Sequence, residues 1–141
     1  MDQNGFFLSL PDADLRDQLI FDRDYDAASY AQGGICQFQN MSVETAKQLL
    51  NCGFLSPEEK HNELEPSVRE LVDFIERHDP ANWVLHGYSV SPKRPDVRVS
   101  IEGIRSIKPL TAEELADYLS VFNAASELIA EAGKPVFCRY D

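Results

Sequence analysis

Long apolar runs are missing from this chain. No stretch of its 141 residues approaches the roughly 20 that a membrane-spanning helix requires, and mean hydropathy is −0.33. Basic residues are also scarce. Thirteen Lys and Arg stand against 24 Asp and Glu, giving a net charge of −11 and a pI near 4.6. Affinity for phosphate backbones comes from clustered Lys and Arg, so no nucleic acid is expected as a partner, and no anionic membrane surface. Cysteine is rare and odd in number. Cys36, Cys52 and Cys138 form no CxxC pair, which argues against a disulfide framework or a zinc site. They read as small buried hydrophobes, with a reactive thiol as the alternative. The first residues carry neither a basic cluster nor a long apolar segment. No secretory signal is therefore expected, and the cytoplasm is the expected location. No GxSxG, HExxH, phosphate-loop or dinucleotide fingerprint occurs, so no cofactor is expected and nothing in the motifs argues for an enzyme.

What is present is the composition of one globular domain. Hydrophobic residues make up 43% and charged residues 26%, and a chain of this length buries about 70% of its unfolded surface without a staple. No repeat, low-complexity segment or linker divides the sequence, so residues 1–141 are expected to form a single domain.

The clearest local pattern runs from Trp83 to Ile107. Val97, Val99 and Ile101 alternate with Arg98, Ser100 and Glu102, the period-two signature of a half-buried strand. Before them, Val84, His86, Tyr88 and Val90 alternate with Trp83, Leu85, Gly87 and Ser89. Pro92 and Pro95 fix a turn over 91–96. A β-hairpin is predicted. A four-residue loop pairs Val90 with Val97, Tyr88 with Val99 and His86 with Ile101, which places His86 and Tyr88 on the apolar face.

Upstream, residues 5–10 read as a short strand ended by Pro11. Residues 12–21 read as a helix capped by Asp12, with Leu15, Leu19 and Ile20 inward. Residues 22–34 read as a loop. Asp22, Asp24 and Asp26 have the spacing that opens a calcium loop, but Ala27 and Gly33 occupy the positions that need Gly and a bidentate Glu, so no metal is expected. Residues 35–38 read as a strand. Ser42 caps a helix to Cys52, with Gly53 at its left-handed end. Ser56, Pro57 and Glu59 signal another short helix. After Ser67, Val68, Leu71, Val72 and Ile75 recur at helical spacing, with Asp73 and Arg77 set for an i,i+4 pair. Thr111 and Glu114 form a capping box, and the stripe Leu115, Leu119, Phe122, Ala125, Ile129 predicts a helix over 112–132 stopped by Gly133. Residues 136–140 read as a last strand.

This order predicts an α+β fold: an antiparallel or mixed sheet of about four to five strands with helices packed mainly on one face. The long final helix is a crossover, which allows a parallel last strand. The expected core is Leu49, Leu71, Ile75, Val90, Val99, Ile101, Leu115, Leu119, Phe122 and Ile129.

Two regions stand out as candidate sites. His86, Tyr88 and Arg98 on the hairpin are candidate ligand-binding residues, since a His–Tyr pair in a cleft suits acid–base or hydrogen-bonding work. A hydrogen-bonded core His and a packed Tyr are the alternative. The hairpin region is also locally basic, with Lys93, Arg94, Arg98, Arg105 and Lys108 together. That suits an anionic ligand or, equally, protection of a sheet edge. Asp12, Asp14, Asp17, Asp22, Asp24 and Asp26 form an acidic patch for a basic protein partner, or simply a solvated segment. The functional expectation is a non-enzymatic protein-binding module of the immunity or adaptor type. The alternative is a small-molecule-binding protein or enzyme with a cleft near His86 and Tyr88, and a homo-oligomer paired through strand or hairpin edges is a third possibility.

Overall fold

The computed structural model describes residues 10–21, 34–60, 62–91, 94 and 96–141. The proposed strand over 5–10 lies outside them, apart from Leu10, and so does the Asp22–Asp24–Asp26 loop. Four helices are described: α1 (Leu10–Phe21), α2 (Val43–Asn51), α3 (Val68–Arg77) and α4 (Ala112–Phe122). Five strands, β1 (Ile35–Met41), β2 (Trp83–Val90), β3 (Val99–Ser106), β4 (Glu127–Ile129) and β5 (Phe137–Arg139), form one sheet in the order β1-β2-β3-β5-β4. Every neighbouring pair is antiparallel, including β3 with β5, so the sheet is antiparallel rather than mixed.

Capping fixes three of the helices. The Ser42 side chain accepts from the Thr45 N–H to open α2. At its other end Phe54 N–H reaches Leu49 O and Gly53 N–H reaches Leu50 O, with Gly53 at φ 78°. These two bonds are a Schellman motif, and buried Phe54 and Leu49 supply its apolar contact. Ser67 and Glu70 form a complete capping box on α3, as do Thr111 and Glu114 on α4. No helix follows Ser56, where the chain makes turns instead: Ser56 O accepts from the Glu59 N–H, and Ser56 Oγ from the Glu58 N–H. The start signal is present, but no apolar stripe follows it to bury, and a single turn is too short to persist alone. Asp12 does not cap α1. The helix already begins at Leu10, and Pro11 sits in its first turn, where a missing N–H costs nothing.

Residue alternation places all four helices on one side of the sheet. Trp83 and Leu85 of β2 point to that side, as do Val99, Ile101 and Ile104 of β3 and Cys138 of β5, and all are buried. Phe74 of α3 meets the Trp83 ring edge-on at 5.2 Å, and Tyr118 of α4 stacks on Trp83 at 5.9 Å. From α1, Phe21 meets Phe38 of β1, while the Asp17 carboxylate accepts from the Ser89 hydroxyl of β2 at 3.4 Å. From α2, Val43, Ala46 and Leu49 are buried in the same core.

Three expectations need correction. The hairpin register is one residue off: Ser89 pairs with Val99 and Gly87 with Ile101, so Val99 and Ile101 face the helices with Trp83 and Leu85, away from His86 and Tyr88. One residue of slip reverses every side chain. On α1, Leu19 and Ile20 pack against the core as expected, but Leu15 is 48% exposed, and the buried positions are Arg16, Asp17 and Phe21. Arg16 Nε and Asp17 Oδ1 meet at 3.0 Å within that interface. Finally, α4 stops at Phe122. Leu128 and Ile129 belong to β4, and Gly133 lies in the turn to β5. Of the expected core, Leu119 and Ile129 are exposed and Leu115 half-buried, while the other seven residues are buried.

A polar clamp ties α3 to α4. His78 Nε2 lies 2.6 Å from Asp117 Oδ2, and Arg77 donates to both Asp117 oxygens, replacing the expected Arg77–Asp73 pair. Partial burial raises the Asp117 pKa, but hydrogen bonds from His78 and Arg77 outweigh it and hold the carboxyl below its usual range.

Two outcomes follow. Replacing Ser67 with Ala removes a cap and should cost about 1 kcal/mol in urea unfolding, while Ser56→Ala should stay within about 0.5 kcal/mol of wild type. The Asp117 contribution is fully present above the unfolded pKa of 3.8 and is lost as pH falls through the lower folded value. Acid titration of unfolding should therefore show a shallower loss of stability in Asp117→Asn than in wild type.

Candidate functional site

The face of the sheet opposite the four described helices carries a hollow at the centre of β1, β2, β3 and β5. Its volume is about 160 Å³. Gln37 and Gln39 of β1 line one side, His86 and Gly87 of β2 the middle, and Glu102 and Arg105 of β3 with Phe137 and Arg139 of β5 the other side. Strand alternation accounts for most of this set, because Gln37, Gln39, His86, Arg105, Phe137 and Arg139 all point away from the helices.

His86 is buried at this site, 6% exposed. Its ring stacks nearly parallel on Phe137, with centroids 4.9 Å apart. Its Nε2 lies 2.8 Å from the Cys138 carbonyl oxygen, two strands away. A carbonyl only accepts, so Nε2 carries the proton and donates. The imidazole reaches β5 because Gly103 lies between. A Cβ there would stand 2.0 Å from the Cys138 oxygen and 2.9 Å from His86 Nε2. Glycine is the residue that lets the ring cross the intervening strand. Burial lowers the His86 pKa, the Cys138 carbonyl works in the opposite sense, and Arg139 and Arg105 lower it further. The ring is thereby held neutral, with Nδ1 as an acceptor, and among the described residues no group donates to it.

The charged groups around the hollow are of mixed sign. Arg105 donates to Asn40 Oδ1. Arg139 is shared between Glu127 at 2.8 Å and Asp141 at 3.2 Å. Glu102 adds one carboxylate to the same wall.

Of the three residues picked as ligand-binding, the hollow takes in His86 alone. Tyr88 shares its face but lies one step along the strand, where its hydroxyl accepts from Arg98 at 3.1 Å. Arg98 also donates to Asp96, whose carboxyl is held below the usual range first by Arg94, then by Arg98. Arg98 and Asp96 line a second depression of about 310 Å³ with Phe54, Ser56 and Glu58. The basic cluster thus divides. Arg94 and Arg98 neutralise Asp96, and Arg105 goes to the hollow. In the acidic patch, Asp17 is buried against Arg16 and Ser89, not displayed at the surface. Asp12 and Asp14 fall within α1, and Asp22, Asp24 and Asp26 lie outside the described residues.

Sequence reasoning passed over Gln37, Gln39, Phe137 and Arg139. They come from strands at both ends of the described chain, and nothing in their local pattern signals that they meet. Cys138 lies on the opposite face, where burial pushes its thiol up to about 11 and leaves it protonated. Among the described residues no group of His, Cys, Asp and Glu could hold a metal ion. The hollow can offer rim donors and a floor acceptor, an arrangement suited to holding a small polar molecule.

No protein-family model, curated protein or solved structure matches this chain.

The depressed His86 pKa has a stability consequence. The unfolded chain protonates this imidazole near 6.5, and the folded chain only at lower pH. Between the two values the unfolded state binds more protons, so stability falls as pH drops below about 6.5. Urea midpoints measured across that window should fall less in His86→Gln, which keeps a donor for Cys138 and does not titrate.

Proposed function

We propose that this chain is a non-enzymatic binding module whose ligand is a small molecule bearing a carboxylate, held in the hollow around His86. The observation that carries this reading is the presence of two guanidinium side chains, Arg105 and Arg139, on one small hollow floored by a neutral imidazole. Arginine forks match carboxylate geometry. Gln37 and Gln39 add amide donors, Phe137 an apolar ring, and His86 Nδ1 an acceptor. The hollow is about 160 Å³, close to the cavity of about 150 Å³ that accommodates benzene. A ligand with a ring or short chain of that size is the fit. Binding is favoured over catalysis because the one imidazole is pinned to a carbonyl and the nearby thiol of Cys138 points to the other face.

A second reading, a basic protein partner steered by long-range attraction, rests on the net charge of −11. It predicts binding that weakens with salt and involves no particular residue of the hollow.

Benzoate is a suitable probe, with benzamide as its uncharged counterpart. Titration of the labelled protein should give saturable amide shifts clustered at residues 37–39, 86–87, 102–105 and 137–139 with benzoate and much weaker ones with benzamide. Arg105→Gln should weaken benzoate by about tenfold, the loss of one charge-assisted pair. Equal responses to both probes, or shifts scattered away from the hollow, would sink the carboxylate reading.

A further inference from the structure

One ring nitrogen of His86 is committed and the other is not. Nε2 carries the proton and donates to the Cys138 carbonyl at 2.8 Å. The Phe137 ring lies nearly parallel to the imidazole, 4.9 Å away, and holds its plane. Tautomer and orientation are therefore set before any ligand arrives, and Nδ1 is left as an acceptor. Among the described residues no group donates to it. It is also not one of the polar atoms sealed inside the protein without a partner, such as Trp83 Nε1 and the Tyr140 hydroxyl. The residue is 6% exposed and lines the hollow, so Nδ1 is reached through the hollow. A small molecule seated there excludes solvent from Nδ1. It must then supply a proton of its own or leave a buried acceptor unpaired.

We propose that the ligand of the hollow is a hydroxy-carboxylate, whose carboxylate meets Arg105 and Arg139 and whose neutral hydroxyl donates to His86 Nδ1. This rests on the carboxylate reading above and narrows it to one class. The two arginines do not serve Nδ1 themselves, since Arg105 donates to Asn40 and Arg139 is held by Glu127 and Asp141. An ammonium also donates, but it meets the wrong field. The lining holds two guanidiniums, Arg105 and Arg139, against one carboxylate, Glu102. Burial, Arg139 and Arg105 oppose positive charge on the imidazole, the Cys138 carbonyl and Glu127 favour it, and the opposition wins. A cation placed against the ring meets the same opposition. A hydroxyl brings the proton without the charge. A site with a buried acceptor to satisfy discriminates against the analogue that lacks the matching donor.

Titration of the full chain at neutral pH with benzoate, with meta- and para-hydroxybenzoate, and with the two matching fluorobenzoates tests this. Fluorine is close to a hydroxyl in size and donates nothing. At least one hydroxybenzoate should bind about tenfold tighter than its fluoro counterpart, the worth of one matched hydrogen bond. The nitrogen-15 resonance of His86 Nδ1 should move upfield with that hydroxy acid and stay near its free position with the fluoro acid. Arg105→Gln should weaken both members of the pair alike and leave their ratio unchanged, because the carboxylate and hydroxyl contacts are separate. Benzoate binding with no gain from either hydroxyl overturns this inference and leaves the carboxylate reading standing, whereas no binding of any of the five acids overturns both. A hydroxyl gain without movement of the Nδ1 resonance also overturns it, and so does meta-(aminomethyl)benzoate binding tighter than either hydroxy acid.

Discussion

β3 carries one residue more than β2 between the Gly87–Ile101 and His86–Gly103 pairs, and Glu102 is that residue. Without it, strict alternation would send Ile101 and Ile104 to opposite faces. With the bulge in place both point to the helices, where they are 1% and 0% exposed. The same offset turns Gly103 toward His86 and leaves Glu102 on the wall of the hollow. One extra residue thus closes the core on one side and shapes the site on the other, which is the kind of re-aiming that bulges perform beside functional sites. The register of the central hairpin, the Gly103 gap and the His86–Cys138 bond all depend on it.

Rings run through the aliphatic core on the helix side of the sheet. Phe74 contacts Trp83, Phe122, Tyr118 and His78, so α3 works as the wedge between the sheet and α4. Each such pair contributes about 0.5–1.5 kcal/mol beyond burial. Polar groups are enclosed in this layer as well. Burial raises the pKa of Tyr118 and of Tyr140, and both phenols stay protonated beside a protonated Cys138 thiol.

Signals that act over three or four residues could be read directly. Ser42 and Thr111 cap the helices expected of them, and Gly53 ends α2 as its place in the sequence requires. The hairpin and the α+β architecture were legible for the same reason, since periodicity is a local property. Signals that depend on what lies opposite were not. Leu128 and Ile129 fit a helical stripe well, yet they pair with Cys138 and Phe137 across a turn. Arg16 and Asp17 look like surface residues until each is the other's partner and Ser89 completes the set. The one-residue slip, already present at the Ser89–Val99 pair, and the bulge at Glu102 beyond it leave no trace in an alternation of Val, Ile and polar residues, so the face of His86 was assigned with the wrong neighbours. The hollow has the same origin, because Gln37, His86, Arg105 and Arg139 lie on four strands and only the strand order brings them together.

Arg139 joins the wall of the hollow to the edge strand of the sheet. It lines the hollow, and its guanidinium is shared with Glu127 on the edge strand and with Asp141. A carboxylate entering the hollow would compete with Glu127 and Asp141 for the same fork of donors, so the charge the hollow can offer depends on the two ion pairs at its rim.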